Sequence, residues 1–308
     1  MSQSRQLVDL MFTDIVGKWI FILAVVLCFS NNIIAQTRQP SFNLITGSNG
    51  ISLGKINAIT QDRQCFMWFS DQRNGAIVRY DGTHMTQYLN DPDDPNTLGG
   101  HYPECLLADS SGAIWIGFNG TGVDRFDPVS STFTHFRHDP NDAGSLSSDF
   151  ISAILIDHLG NLWVGTNNGL DRLDYKTGRF DHFRHDVNDP GSLSHDIVRS
   201  IYEDREGTLW IGTGVPWVHE NEGGLNRFDR ATGTFTRYMH NPNDTNSLAS
   251  NKVRAILEDS KGNFWIGTAK EGLHTLDRKT GTITRYPYDP KYPEKLSRPP
   301  VNVEIGYD

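Results

Sequence analysis

Five times along the chain a tryptophan sits in the same short apolar run: Phe66-Met67-Trp68-Phe69, Ile114-Trp115-Ile116-Gly117, Leu162-Trp163-Val164-Gly165-Thr166, Leu209-Trp210-Ile211-Gly212-Thr213 and Phe264-Trp265-Ile266-Gly267-Thr268. The tryptophans are 47, 48, 47 and 55 residues apart. A fixed period near this length, built from short β-type runs punctuated by Gly and Asp, predicts an all-β chain, a β-propeller in which each repeat is one four-stranded blade.

The fourth repeat displays the whole unit. Asp196–Tyr202 is rich in β-branched and apolar residues and reads as the inner strand. Asp204-Arg205-Glu206-Gly207 is a tight turn, since Asp bonds its own backbone and Gly accepts positive φ. Leu209–Thr213 is the second strand, Gly224–Asp229 the third and Phe235–His240 the fourth, with Arg230-Ala231-Thr232-Gly233 as the turn between the last two. Trp210 and Ile211 are adjacent rather than alternating with polar residues, as expected of a strand buried on both faces between stacked blades. A small residue stands four positions before each turn Asp, at Ala58, Cys105, Ala153, Ser200 and Ala255, and reads as crowding of the inner strands around the central channel. Strand direction places the Asp-x-x-Gly and Asp-x-x-Thr-Gly turns on one face of the propeller. The opposite face, called face one below, carries the second-to-third-strand loops and the long loops between blades.

Net charge is −9, with the two signs intermixed, which argues against a nucleic-acid partner. Near the N-terminus, Lys18 precedes the apolar run Trp19–Phe29, and Ala35-Gln36 follows as a cleavage site. Eleven apolar residues are too few to span a bilayer comfortably, so residues 1–36 are expected to be a removed signal peptide, residues 37–308 the propeller, and the mature protein periplasmic or secreted with no membrane insertion. Met11 offers an alternative start. Cleavage leaves only Cys65 and Cys105, at different levels of the sheet, and both are expected to be free thiols.

The pattern Asp-x-x-Gly-x-Leu-Trp-Ile-Gly-Thr, then Gly-Leu-x-Arg-Leu-Asp, then Asn-Asp-x-x-Ser-Leu-Ser resembles the two-component regulator propeller repeat over residues 42 to 308. The resemblance implies the periplasmic sensor region of a hybrid histidine kinase, in which seven-bladed propellers precede a membrane helix and a kinase. This chain departs from that plan. It has five repeats and no kinase-type segments, so it is not expected to be an enzyme; its end from Leu296 to Asp308 matches the opening of a further blade, and Phe42–Thr46 reads as a lone outer strand. The chain is therefore expected to be the N-terminal fragment of a larger sensor, or a truncated gene product, forming an open arc of five blades and the start of a sixth whose unpaired edges invite self-association.

Several patterns invite chemistry and are better read as architecture. The Asp-, Asn- and Pro-rich loops, such as His138-Asp139-Pro140-Asn141-Asp142, lack the Gly and the distal Glu of a calcium loop and are turn chemistry. His135 with His138, and His182 with His185, are three apart on a strand and point to opposite faces, so they form no metal site and read as solvated outer-strand residues. Asp124-Arg125, Asp171-Arg172 and Asn226-Arg227 read as pairs between third strands of neighbouring blades. No metal or cofactor site emerges.

The fourth repeat breaks the period with extra residues between Thr213 and Gly223, carrying Trp217, His219, Glu220 and Glu222. This insertion lies on face one and supplies the candidate binding residues, suited to a glycan fragment or a protein ligand. The competing readings are a stand-alone protein-interaction propeller and a secreted propeller enzyme such as a lyase, which requires His and carboxylate or Tyr groups converging at the channel mouth.

Overall fold

The computed structural model describes residues 50–287 apart from 216, 218–220 and 270, together with residues 45 and 291. Its strands form five four-stranded antiparallel sheets, each ordered first to fourth strand as in the sequence. Blade 1 is β1 (Ile56–Gln61), β2 (Met67–Asp71), β3 (Ala76–Tyr80) and β4 (Met85–Leu89); blade 2 is β5 (Pro103–Ala108), β6 (Ile114–Phe118), β7 (Val123–Asp127) and β8 (Thr132–Phe136). Blade 3 is β9 (Ile151–Ile156), β10 (Leu162–Thr166), β11 (Gly169–Asp174) and β12 (Arg179–Phe183); blade 4 is β13 (Val198–Glu203), β14 (Leu209–Thr213), β15 (Gly224–Asp229) and β16 (Thr234–Tyr238). Blade 5 is β17 (Val253–Glu258), β18 (Phe264–Thr268), β19 (Gly272–Leu276) and β20 (Ile283–Tyr286). The inner strands β1, β5, β9, β13 and β17 adjoin in that order, and β17 does not pack on β1 as these neighbours pack on one another. Among the described residues no helix is long and apolar enough to cross a membrane. The expected signal peptide, the outer strand at Phe42 and the partial repeat from Leu296 lie outside the described residues, apart from Ile45.

One clasp recurs in every blade. The turn aspartates Asp62, Asp109, Asp157, Asp204 and Asp259 each accept a hydrogen bond from the indole N–H of the tryptophan six residues on, at 2.8 to 3.0 Å. The other carboxylate oxygen closes the turn: in blade 4, Asp204 Oδ1 accepts the backbone N–H groups of Glu206 and Thr208 at 3.0 and 2.9 Å. Burying an indole takes roughly 200 Å² out of water, worth about 5 kcal/mol, and an unpaired indole N–H would return about 1–3 kcal/mol of that. The clasp therefore protects a large part of what the tryptophan contributes. The ring then lies against an aromatic of its own fourth strand, Trp163 on Phe183 and Trp210 on Tyr238, with centroids 5.7 and 5.8 Å apart. It also packs across to the next blade, as Trp210 does on Phe264 and Val253. Trp68, Trp115, Trp163 and Trp210 are all within 1% of full burial. Trp265, in the last described blade, keeps its clasp but is only half-buried.

The small inner-strand residues have a different cause from the expected crowding at the channel. Ser200 pairs with Gly212 of the second strand, and Ala153 with Gly165. A Cβ on Gly212 would collide with the Ser200 side chain and lie 2.7 Å from Val253 of the next blade. The crowding is thus at the blade interface, where a small residue opposite a glycine admits the neighbour's Val or Ile. The third-strand arginines are also corrected. Arg172 lies cross-strand from Trp163 in its own blade, with its guanidinium 5.7 Å from the Trp163 ring centre, and bonds Asp181 at 2.6 Å. No pairing between third strands occurs for Asp124 or Asp171, whose carboxylates turn to their own blades.

In blade 4 the two middle strands match the sequence reading to the residue, whereas the inner strand begins at Val198 rather than Asp196. Asp196 is held in the loop because its carboxylate accepts the His185 N–H at 2.7 Å and its carbonyl accepts the Gly169 N–H at 2.7 Å. The thiols are unbonded to each other: Cys65 is exposed, and burial pushes the Cys105 thiol up to about 12. Cys65 stands where the other blades carry Gly112, Gly160, Gly207 and Gly262, and it shares their positive φ, at 67°.

Replacing Asp204 by Ala is expected to lower unfolding stability by about 3 kcal/mol, since it strands the Trp210 indole and two turn amides. Asp229→Ala, at an exposed turn on the same face, is expected to cost under about 1 kcal/mol. Denaturant melts of the two variants check the contrast. Cys65→Gly is expected to gain about 1 kcal/mol in the same assay by relieving the left-handed backbone of a non-glycine residue.

Candidate functional site

Face one is assembled from loops that are latched to the third strands. Asp124, Asp171, Asn226 and His274 occupy one position of β7, β11, β15 and β19, and all are fully buried. Each accepts a backbone N–H of the loop leading into its own blade: Gly99, Ser147, Ser194 and Ala249, at 2.6, 2.7, 2.8 and 3.1 Å. The fourth strand matches the charge of the latch. Opposite Asp124 and Asp171 stand His135 and His182, with Nδ1 2.7 Å from each carboxylate. Opposite Asn226 and His274 stand Arg237 and Arg285, which donate to the loop carbonyls of Ser192 and Ser247 at 2.8 and 2.7 Å. The histidines expected to be solvated are therefore half-buried structural partners. His138, His185 and His240 likewise bond the carbonyls of Leu146, Leu193 and Leu248 at 2.7 Å. The Asp- and Asn-rich loops are turns as expected, with Asp139 and Asp142 accepting the amides of Asn141 and Gly144.

On this rigid face the inner strands present an open ring of side chains, broken between β17 and β1, that the repeat signature conceals. The pairing of β5, β9, β13 and β17 with their second strands slips by one residue near the face-one end, between Pro103 and Cys105, Ile151 and Ala153, Val198 and Ser200, and Val253 and Ala255. β1 slips at Ile56/Ile59. A bulge leaves its extra residue out of the ladder and re-aims the side chain. The residues so released are Glu104, Ser152, Arg199 and Arg254, with Asn57 in the corresponding place in β1. Neighbours in the ring touch: Asn57 Nδ2 donates to Glu104 Oε2 at 2.9 Å, and Ser152 Oγ donates to the Val198 carbonyl at 2.5 Å. A scaffold that repeats thus carries a ring that does not, with an acid, two neutral polar groups and two arginines.

The insertion leans over this ring. The Trp217 ring centre lies 4.6 Å from the Arg199 guanidinium carbon, and Trp217 is 69% exposed. Glu222 Oε2 is 3.5 Å from His195 Nε2, and its side chain is 71% exposed. The Ile197 N–H donates to His195 Nδ1 at 2.9 Å, which leaves the ring proton on Nε2, facing Glu222. The base of the insertion is tied to blade 5 through Asn221, which accepts the Asn251 N–H at 2.9 Å and a hydrogen bond from the Asn251 side chain at 2.6 Å. The structure therefore brings Trp217 and Glu222 to the channel mouth; His219 and Glu220 lie outside the described residues. Sequence reasoning missed His195, Arg199, Arg254 and Glu104. For Arg199, Arg254 and Glu104 the signal was the position just before each small inner-strand residue, which changes chemistry from repeat to repeat.

The profile of the two component regulator propeller matches residues 145–168, 192–214 and 247–270. These three segments are two-component regulator propeller repeats. Each segment runs from the latched loop ahead of an inner strand, past the bulge and the turn aspartate, through the tryptophan strand, and stops short of the third strand that carries the latch. Among solved structures, the chain is similar to the extracellular domain of a protein described as a hybrid two component system from B. thetaiotaomicron. The TM-score is 0.65 and the identity 26%, over 80% of this chain and 32% of that one. It shares the fold of virginiamycin B lyase from Staphylococcus aureus, with TM-score 0.53 and 16% identity over 75% of this chain and 69% of the other. It also shares the fold of PorZ, a surface component of the type-IX secretion system of Porphyromonas gingivalis, with TM-score 0.54 and 15% identity over 75% and 33% of the two chains. The chain thus spans about a third of the length of the two-component relative. No curated protein matches it in sequence.

The latches make face one sensitive to pH. The hydrogen bond from His182 to Asp171 raises the His182 pKa above its ordinary 6.5. Its Nε2 faces the Ala143 carbonyl at 3.0 Å, so both ring nitrogens meet acceptors and the imidazolium satisfies both. A raised pKa contributes stability that is complete below about pH 6.5 and is lost as pH rises through the folded value. The wild type is expected to lose stability as pH rises above about 6.5, and His182→Gln to flatten that loss. Melts against pH for the two proteins measure it.

Proposed function

We propose that this chain is the ligand-sensing propeller of an exported two-component signalling protein, and that it takes its ligand on face one at the mouth of the central channel. The single observation that carries this reading is the asymmetric ring of Asn57, Glu104, Ser152, Arg199 and Arg254 beneath an exposed tryptophan. Repeats alone give every blade the same groups, whereas recognition of one ligand calls for a set that occurs once. The match to two-component regulator propeller repeats and the likeness to an extracellular domain of a two-component system support a sensing role and an exported location. A glycan fragment or an extended segment of a protein suits the site, because Trp217 offers a flat apolar face beside polar groups.

A catalytic reading has one foothold, the His195–Glu222 pair at the channel mouth, which answers the requirement stated for a propeller lyase. Glu222 lies open to solvent, however, and the pair lacks the enclosure that gives a general acid or base its leverage. Binding is the better-supported activity.

Trp217 lies outside the blade packing, so Trp217→Ala is expected to abolish the thermal shift produced by binding fragments while changing the stability of the unliganded protein by no more than about 0.5 kcal/mol. Trp210→Ala, which empties the core, is expected to cost about 3–5 kcal/mol. The measurement is a thermal-shift screen of oligosaccharide fragments and peptides against the full chain and both variants. If Trp217→Ala destabilises the protein as much as Trp210→Ala, or leaves every shift intact, face one is not the recognition surface.

A further inference from the structure

The two axial arginines differ from the arginines that pair with carboxylates across a blade junction. At two blade junctions arginine meets carboxylates: Arg230 bonds Asp157 and Glu203 at 2.7 and 2.8 Å, and Arg278 bonds Asp204 and Glu258 at 2.9 and 2.8 Å. Arg199 and Arg254 have no hydrogen-bond or ion-pair partner among the described residues; Arg199 is half-buried with its Nε buried and unpaired, and Arg254 is exposed beside it on the next inner strand. The ring's own acid, Glu104, acts on Arg199 through its charge but forms no ion pair with it, and its Oε2 accepts from Asn57 at 2.9 Å and from Gln72 at 3.4 Å. A chain with net charge −9 has carboxylates to spare. It nonetheless holds two like charges together at the channel mouth, where burial first and the Arg254 charge second push the Arg199 pKa down. A guanidinium carries five donors in a fixed fork that fits a carboxylate in bidentate fashion, and an unpaired donor in a partly dry site is costly until an acceptor arrives. Directly above, Trp217 covers the Arg199 guanidinium with one part of its ring and exposes the rest.

We propose that Arg199 and Arg254 form an anion site that takes the carboxylate of a ligand whose flat ring stacks on Trp217. This deepens the face-one reading and rests on it: the ligand is an acid, either a uronic sugar or an aromatic carboxylate. Glu104, Glu222 and His195 edge the same mouth, and the two carboxylates discourage a second negative group, so one acidic group per bound ring fits best.

The test is calorimetric titration of the full chain with a uronate disaccharide, with benzoate and with the neutral disaccharide of the same linkage. At least one carboxylate is expected to bind ten-fold or more tightly than the neutral sugar, with affinity falling as salt rises. Arg199→Gln and Arg254→Gln are each expected to weaken that binding at least ten-fold, and Arg172→Gln, on the outer side of blade 3, to leave it unchanged. Binding by the disaccharide alone identifies a sugar acid, and binding by benzoate alone an aromatic acid. Carboxylates that bind no better than the neutral sugar, arginine variants that bind as well as the wild type, or no binding by any probe would overturn the anion site. Neutral-sugar binding that Trp217→Ala abolishes and Arg254→Gln preserves would leave face one standing and remove only its acidic ligand.

Discussion

Everything in this propeller hangs on the hydrogen bond between a turn aspartate and the indole six residues later. It lets the largest apolar side chain of each repeat be buried without stranding its N–H, and it fixes the turn that sets the second strand against the first. At Asp157 burial opposes ionisation, but hydrogen bonds win: the Trp163 indole, Asn161 and Arg230 hold the carboxyl down at about 2. The same carboxylates then serve the next junction, where Arg230 reaches back from blade 4 to Asp157 and Arg278 from blade 5 to Asp204. In all five repeats this residue joins turn closure to core burial, and at Asp157 and Asp204 it adds adhesion between blades.

Repetition of this kind leaves few places for individuality, and the chain uses those few on one face. The latch position changes from Asp to Asn to His around the arc, and the fourth strand answers with His or Arg so that a buried charge is always paired and a neutral latch is served by an arginine that bonds carbonyls instead. The bulge position changes more freely because its side chain leaves the ladder and meets the channel, where no packing partner dictates its size. The insertion adds a tryptophan that the core does not need. Rigid loops, variable axial residues and an exposed aromatic then meet at the channel mouth, and the geometry of binding follows from where the scaffold stops constraining the sequence.

The sequence by itself determined the blade count among the complete repeats, the strand order, the turn that closes each hairpin and the face on which the insertion lies. Those are local properties: a Trp six residues after an Asp, a Gly at a left-handed turn and β-type runs of five residues act on their immediate neighbours, so their pattern is written in spacing. Trp217 was legible for the same reason, as the residue that breaks the period. Only the tertiary structure decided what the recurring His, Arg and small residues are for. His182 reads as a solvated outer residue until Asp171 is seen buried beside it, and Arg172 reads as a cross-blade partner until Trp163 is seen under it. Arg199 and Arg254 stand in adjoining blades, some fifty positions apart in sequence, and their meeting at the axis depends on a bulge and on the curvature of the arc. Spacing along a chain carries no record of which distant positions converge, and at this site convergence is the whole of the chemistry.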